Sequence, residues 1–419
     1  MQSDKKQSYT TSLILVGCLF FIFGFITWLN GTLIPFLKAV CELNNFQSYF
    51  VTFAFFISYF VMALPSSAIL KRTGFKKGMS LGLLVMAGGA LIFIPAALQR
   101  NFILFLTGLF TEGLGLAILQ TAVNPYVTIL GPEESAASRI SMMGIANKAA
   151  GMLGPAYMAG ILLTGIDSIK EQVATVTDTT AKEQLLNELA HRIINPYIVL
   201  TVVLVILAML IRISPLPDIN DEKDNPDVDA SIHPTLSSHT YLLLGALAIF
   251  FYVGVEVIAG DSIISYGTSQ GIPIEEAKWF TSFTLGCMVA GYFCGIFLTP
   301  KIISQETFLR ICTIIGTILV LGVVTTHGKT SIYCLAALGF AHAIMWPAIW
   351  PMSLKGLGKF TKTGSALLIM GIVGGALIPL LYGRLVDVVG NQQAYWVMMP
   401  CYFYILFFAT KGHKIGYKK

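Results

Sequence analysis

Amide and charged side chains stand inside long apolar stretches of this sequence, where burying them is costly. Gln120 and Asn124 fall at helical spacing with Gly113 and Ala117, which predicts a polar stripe along an otherwise apolar helix. Lys148 lies well inside the next apolar segment, too deep for its ammonium group to reach water comfortably at a membrane surface. These residue types at this depth indicate a wet cavity or a counter-charge, and favour a path for a polar solute.

Three carboxylates stand at comparable depth in apolar segments: Glu112, Glu256 and Asp261. Burying an unpaired carboxylate costs several kcal/mol, so each needs a cation, a proton or a hydrogen-bond partner. Glu112 and Glu256 compete as counter-ions for Lys148, and the sequence leaves that pairing open. Tyr252 lies one helical turn before Glu256, so these two side chains are predicted to share a face.

The composition places these residues in a membrane protein. Of the 419 residues, 55% are hydrophobic and only 12% are charged, whereas about 25% charged is usual for a soluble domain. The net charge of +5 is spread along the chain and does not indicate nucleic acid as a partner. The seven cysteines show neither metal-ligand spacing nor a disulfide framework, and the six that lie in apolar runs are interpreted as small buried hydrophobes.

The hydropathy pattern predicts twelve membrane-spanning helices and an all-α membrane protein. They cover about 11–37, 47–70, 78–98, 102–130, 140–165, 195–213, 240–266, 279–300, 306–326, 330–354, 364–388 and 393–411. A Pro- and Asp-rich stretch divides the chain into residues 1–213, a linker 214–239 and residues 240–419. Residues 167–192 form an insertion with helical periodicity, interpreted as a surface loop.

The distribution of Lys and Arg predicts the orientation in the membrane. With the N-terminus inside, 18 of the 27 Lys and Arg residues lie on the cytoplasmic side, 8 lie outside, and Lys148 lies within the membrane. Cytoplasmic loops carry the excess of basic residues. Both termini are therefore predicted to be cytoplasmic. Near the last outer loop, Arg384 and Asp387 are predicted to form a surface ion pair.

The two halves of the chain echo one another. The segment 117–125 overlays 343–351 without a gap at an offset of 226, which also carries Gly113 onto Gly339. A second overlay, at an offset of 230, places Gly24 on Gly254. Two offsets near half the chain length favour the internal repeat typical of secondary transporters.

Several motifs taken together resemble the fucose permease family of the major facilitator superfamily, and its bacterial glucose/galactose transporter branch most closely. They are Gln120–Pro125, Leu29-Asn30 ahead of Pro35, the run 250–256, the run 374–379 and the ending 401–409. The resemblance implies the major facilitator fold, in which two six-helix bundles rock around a sugar site at the middle of the membrane. It also implies sugar uptake driven by a Na⁺ or H⁺ gradient.

The chain departs from that family at the two acids that carry protons. Proton-coupled fucose permeases have one acid directly after the Asn matched by Asn30, where this chain has Gly31, and one on the fourth span, where this chain has Gln120. Gln at the second position is what the glucose/galactose branch shows, whereas Gly31 fits neither. The half-chain overlay sets Asp261 opposite Gly31. We therefore predict that the coupling acid has moved to Asp261.

The prediction for Asp261 leaves the ion open. The carboxylate could bind Na⁺ with the Ser262 hydroxyl and the Gly260 carbonyl, or take up a proton. Glu256 and Glu112 are further coupling candidates. The alternative is that Asp261 is merely hydrated at the outer end of its helix.

A sugar site needs hydrogen-bonding groups for the hydroxyls and an aromatic face for the ring. The predicted sugar-binding residues are Gln120, Asn124, Asn147, Lys148, Asn30, Trp28, Tyr252, Glu256, His342 and Trp346. Each aromatic residue could equally belong to the core or the interfacial belt. His342 fits a hydrogen-bonded core histidine, and Glu256 could serve only to neutralise Lys148.

The sequence thus predicts a monomeric secondary transporter of the bacterial inner membrane and no enzyme. It would take up glucose, galactose or mannose together with Na⁺ or H⁺, with no cofactor besides the coupling ion. The alternatives are a symporter of N-acetylglucosamine or another sugar, a sugar exporter, and a membrane sugar sensor that transports nothing.

Overall fold

The computed structural model describes residues 2–129, 136–214, 240–299, 302–357 and 361–416, and over these ranges it is helical without strands. The helices of the first half are α1 (Gln2–Thr27), α2 (Asn30–Val40), α3 (Asn45–Ser48), α4 (Phe50–Thr73), α5 (Phe75–Leu98), α6 (Phe102–Ile129), α7 (Ala136–Leu162), α8 (Ile166–Thr175), α9 (Thr179–His191) and α10 (Ile194–Ile213). Those of the second half are α11 (Thr240–Asp261), α12 (Ile263–Ser269), α13 (Ile274–Ala277), α14 (Phe280–Leu298), α15 (Gln305–Thr325), α16 (Gly328–His342), α17 (Met345–Leu354), α18 (Thr361–Gly371), α19 (Gly374–Val389) and α20 (Met398–Thr410).

The predicted membrane spans are present as apolar helices. Within the described ranges, eleven stretches are long and apolar enough to cross a membrane. The twelfth predicted span, 393–411, forms the 3₁₀ turn Gln393–Val397 followed by α20. The insertion 167–192 forms α8 and α9 instead of an irregular loop. The predicted linker lies outside the described residues except for Ser214, so the boundaries of the halves stay a prediction.

Four predicted spans are broken instead of continuous. The breaks separate α1 from α2, α11 from α12, α16 from α17, and α18 from α19. Pro347 explains the third break, because it has no N–H group to bond to the carbonyl of Ala343. At the second break, the Ser262 hydroxyl donates to the carbonyl of Ile258 at 2.6 Å and competes with the backbone.

The internal repeat is visible in how the helices pack. A Cβ on Gly113 would lie 2.4 Å from the carbonyl oxygen of Phe55 on α4, and one on Gly339 would lie 2.0 Å from that of Thr284 on α14. In the second overlay, Gly24 packs onto α7 and Gly254 packs onto α19. Matched glycines therefore mediate matched close approaches of helices in both halves.

The chain ends and several basic loops define one face of the molecule. This terminal face carries the connection between α4 and α5, the end of α10, the start of α11 and the end of the chain, where Gly416 contacts Thr240. The opposite, distal face carries the connections before α3, between α5 and α6, through α8 and α9, and through α13. Ion pairs such as Lys182–Glu42, at 2.6 Å, lie on the distal face.

We expect Gly24→Ala to lower stability, because the new Cβ would lie 1.7 Å from the carbonyl oxygen of Asn147 and would push α1 off α7. Overpacking of this kind typically costs about 1–3 kcal/mol. The matched control is Gly88→Ala, since nothing lies within 4 Å of its Cβ position. Removing that helical glycine is expected to be neutral or stabilising by about 0.5–1 kcal/mol. Thermal unfolding in detergent measures both, and equal midpoints would contradict the packing.

Candidate functional site

A buried ion pair joins the middle of α7 in the first half to the last third of α11 in the second. Lys148 Nζ on α7 lies 3.0 Å from Glu256 Oε1 on α11, and each residue is only 8% exposed. The structure thus resolves the pairing that the sequence left open in favour of Glu256. In a buried pair of this kind each charge compensates the other for its loss of water. Removing one partner leaves an uncompensated buried charge and strongly destabilises the fold.

Trp28 lies against this pair and is held from both halves. The Lys148 ammonium group stands 4.7 Å from the centre of a Trp28 ring, within cation–π distance. A Cβ on Gly151 would lie 2.4 Å from Trp28 Cδ1, and one on Gly260 would lie 2.4 Å from Trp28 Cζ3. The indole at the break between α1 and α2 therefore fits between α7 and α11 because both helices present glycine to it.

Aromatic side chains of the second half lie next to the ion pair, on the side of Glu256. The ring centroids of Tyr252 and Trp346 are 6.4 Å apart. Trp346 stacks on Trp350, with 5.1 Å between centroids and an angle of 24° between the rings. His342 Nε2 lies 2.6 Å from the Tyr402 hydroxyl, in keeping with a hydrogen-bonded core histidine. Trp346 and Trp350 are only half-buried. Part of each ring is therefore not covered by protein.

The predicted amides occupy different surroundings. Asn147 donates from Nδ2 to the carbonyl of Phe20 at 3.3 Å, which ties α7 to α1. Asn30 is 1% exposed, and neither atom of its amide has a hydrogen-bond partner among the described residues. Gln120 is half-buried and Asn124 is exposed, toward the terminal end of α6. Surfaces that face lipid are apolar, so this polar exposed strip indicates water on that side of α6.

Asp261 is buried against the other half and is not the hydrated helix end that the sequence allowed. Only 1% of the residue is exposed, and its Oδ2 accepts a hydrogen bond of 3.0 Å from the Thr52 hydroxyl on α4. Gly31 lies beside it, since a Cβ there would be 3.0 Å from the carbonyl oxygen of Gly260. Ser262 bonds Tyr395 at 2.7 Å.

Glu112, the remaining coupling candidate, lies away from the ion pair. It packs among helices of the first half, where its backbone nitrogen would be 2.6 Å from a Cβ on Gly89. The residue is 1% exposed, and in the part of the chain that the structure describes its Oε1 has no hydrogen-bond partner. The same holds for the hydroxyl of Tyr197, on α10 of the same half. The structure does not bring Glu112 to Lys148.

Hydrogen bonds close the distal face between the halves. The bonds that we name the distal clasp are Asn45 Nδ2 to Asp387 Oδ1 at 2.8 Å, Gly165 N to Glu275 Oε1 at 2.7 Å, and Ile274 N to Asp167 Oδ2 at 3.1 Å. The Asp387 carboxylate also accepts from Phe46 N at 2.9 Å. The clasp holds the two halves together on the distal side.

The role of Asp387 corrects the predicted surface ion pair with Arg384. Within the described ranges Asp387 forms no ion pair with Arg384, although the two stand one helical turn apart. The carboxylate instead bonds the start of α3, where amide donors satisfy it. Pair spacing on one helix predicted the partner wrongly because the other half approaches closely enough to compete.

Residues of α14 were missed from the sequence. Leu285 and Met288 form a cluster with Trp28 and Ala343, and Tyr292 packs against it. Tyr292 is the single tyrosine of the predicted span 279–300, which is the one signal that the sequence offered. These side chains add an apolar wall from the second half around Trp28.

The known proteins that resemble this chain in sequence are membrane transporters. Residues 16–370 match the family described as Major Facilitator Superfamily. The chain is 35% identical to a glucose/galactose transporter of Brucella abortus (strain 2308), over 99% of this chain and 97% of that protein. It is 28% identical to the L-fucose-proton symporter of Escherichia coli (strain K12), over 97% and 94%.

Solved structures show the same arrangement of helices. The transporter FucP in its outward conformation superposes with a TM-score of 0.72 at 25% identity, covering 98% of this chain and 100% of that one. A bacterial homolog of the lysosomal transporter Spinster, inward-facing and occupied, gives 0.66 at 14% identity, over 97% and 96%. The second likeness concerns the fold alone.

Proposed function

This chain belongs to the major facilitator superfamily, and we propose that it takes up a hexose together with a cation by alternating access. It is an integral membrane transporter and not an enzyme, as the sequence predicted, and the predicted facilitator fold and family resemblance are confirmed. The proposal adds the substrate class, the coupling and the direction.

The observation that carries the proposal is the ion pair Lys148–Glu256 between the halves, with aromatic rings beside it. A sugar presents hydroxyls that bond to charged and amide groups, and C–H faces that pack on rings. Trp346 is half-buried 6.4 Å from Tyr252, which precedes Glu256 by one turn. This combination of charge and ring fits a small polar solute better than an apolar drug.

We assign the amides of Gln120 and Asn124 to the side of the site that opens toward the terminal face. Lys148 and Glu256 would bond sugar hydroxyls and hold the halves together. Asn147 keeps a carbonyl oxygen for the sugar while its nitrogen bonds α1. In this assignment the buried residues Trp28, Asn30 and His342 pack behind the residues that contact the sugar and hold them in position.

The clasp and the predicted topology together indicate which side of the membrane is closed. If both termini are cytoplasmic, the closed distal face is the outer side, and the conformation is one that releases sugar inward. The relatives named glucose/galactose transporter support a hexose, and the L-fucose-proton symporter supports coupling to an ion. The inner-membrane location and the monomeric state stay predictions.

Counterflow in proteoliposomes tests the function. Vesicles loaded with unlabelled glucose, galactose, mannose, L-fucose or N-acetylglucosamine should take up the matching labelled sugar transiently, fastest for one of the first three. Absence of counterflow for every sugar would indicate a sensor and overturn the proposal. Imposed Na⁺ and pH gradients, applied in either direction, then distinguish the coupling ion and separate uptake from export.

A further inference from the structure

We propose that Asp261 is the proton-binding site that couples transport to closure of the distal face. The inference rests on the proposed function and names its coupling ion as H⁺. The step is a simple protonation: one carboxylate oxygen takes H⁺ from water on the distal side before the halves close.

The position of Asp261 makes its charge matter to closure. It ends α11 at the break before α12, and Thr52 of the opposite half donates to it at 3.0 Å. Within the described ranges no basic side chain stands within ion-pair distance of it. An ionised carboxylate without a cation in a dry interface costs several kcal/mol, and it is neutralised by a proton instead. Closure therefore favours the protonated form.

Buried tyrosines seal Asp261 from the distal solution. Tyr49 of the first half, within electrostatic range of Asp261, packs on Tyr382 of the second half at 5.4 Å. Tyr395 lies 4.9 Å from both Tyr382 and Tyr266. These four phenols are the titratable groups around the site, and phenols stay neutral near pH 7. Of the described residues around the site, Asp261 is thus the group whose charge can change in that range.

The surrounding oxygens favour a proton over Na⁺. Hard metal cations take a shell of several oxygen ligands. The Ser262 hydroxyl donates to Ile258 and bonds Tyr395, while the carbonyl of Gly260 accepts from Thr281 at 2.8 Å. The ligands that the sequence offered for Na⁺ therefore have other partners. A proton needs only the carboxylate itself.

The next hydrogen-bonding group on the way to the ion pair belongs to Asn30. It lies in sequence between Trp28, which contacts Gly260 and Lys148, and Gly31, which contacts Gly260. Within the ranges that the structure describes, its buried amide has an unused donor and an unused acceptor. This group provides a route by which the proton leaves Asp261 toward the terminal face once the sugar has been released.

The test compares exchange with accumulation in proteoliposomes. For one proton per sugar, a gradient of one pH unit supports up to about tenfold accumulation, because 1.4 kcal/mol corresponds to a factor of ten. We expect Asp261→Asn to reduce accumulation to the equilibrium ratio while counterflow persists. Thr52→Val should shift the pH dependence of accumulation, and Thr52→Ser should restore it. Thr313→Val is the matched control, since its hydroxyl bonds only within its own helix.

The outcomes separate the proposals. Proton-driven accumulation by Asp261→Asn, or loss of it in Glu112→Gln alone, would overturn the assignment. Accumulation in wild type driven by Na⁺ and not by H⁺ would overturn the ion. If Asp261→Asn does not fold, a pH-sensitive dye inside wild-type vesicles decides. Addition of sugar outside must then acidify the interior, because each sugar brings in a proton. Absence of counterflow in wild type would instead defeat the proposed function.

Discussion

Replacing Lys148 with methionine is expected to reduce hexose uptake by about a hundredfold or more. Glu256 is 8% exposed, and its Oε1 lies 3.0 Å from Lys148 Nζ. The change therefore leaves a buried carboxylate without its cation. Removing one partner of a buried ion pair typically costs about 3–5 kcal/mol of stability. The same cost borne by the closed state of the transport cycle corresponds to about a hundredfold or more, because each 1.4 kcal/mol is a factor of ten. Initial uptake in proteoliposomes, normalised to folded protein, measures the loss.

Two further variants separate a transport role from a folding role. The double change Lys148→Met with Glu256→Gln removes both charges, so it should recover much of the thermal stability while uptake stays lost. Lys182→Met is the matched control, because Lys182 pairs with Glu42 on the exposed distal face. Surface pairs contribute only about 0–1 kcal/mol. Wild-type uptake by Lys148→Met would contradict the central role of the pair.

Replacing Trp346 with alanine is expected to raise the KM for sugar about tenfold with a smaller change in kcat. Its ring stacks on that of Trp350, with 5.1 Å between the ring centroids. This stacking fixes the orientation of the indole next to Tyr252. Ring contacts contribute roughly 0.5–1.5 kcal/mol beyond the area they bury. Trp346→Phe keeps a smaller face and should lose less. Concentration dependence of uptake measures each KM.

The control for this prediction is Trp396→Ala. Trp396 is exposed and hydrogen-bonded to Gln393, outside the central cluster. A KM for Trp346→Ala no higher than that of Trp396→Ala would place the sugar elsewhere. The comparison keeps the general effect of losing an indole apart from the loss of a binding surface.

The sequence predicted what depends on local pattern. Apolar runs of membrane length determine helices whatever their neighbours, so the span positions agree with the structure to within a few residues at most ends. The overlay of Gly113 on Gly339 was also readable, because close helix approach requires the smallest residue in both halves. Fold and repeat were therefore accessible from residue type and spacing.

The site was less predictable because its geometry depends on contacts between distant segments. Gly113 belonged to the predicted polar stripe, yet it faces α4 and only Gln120 and Asn124 remain accessible. Asp387 has a partner that lies hundreds of residues away in sequence. Glu112 and Glu256 looked equivalent along the chain, and only the packing of α7 on the second half distinguishes them. Spacing along one helix cannot report which half approaches it.

The helices α8 and α9 present a mostly exposed surface on the distal face, and two bonds of the distal clasp start beside them at Gly165 and Asp167. An antibody fragment that recognises the start of α8 together with Glu275 and its neighbours would span both partners of those bonds. Such a reagent would trap one stage of the cycle from outside the bilayer. It would act as an inhibitor without competing for the sugar, and would give a rigid handle for imaging so small a particle.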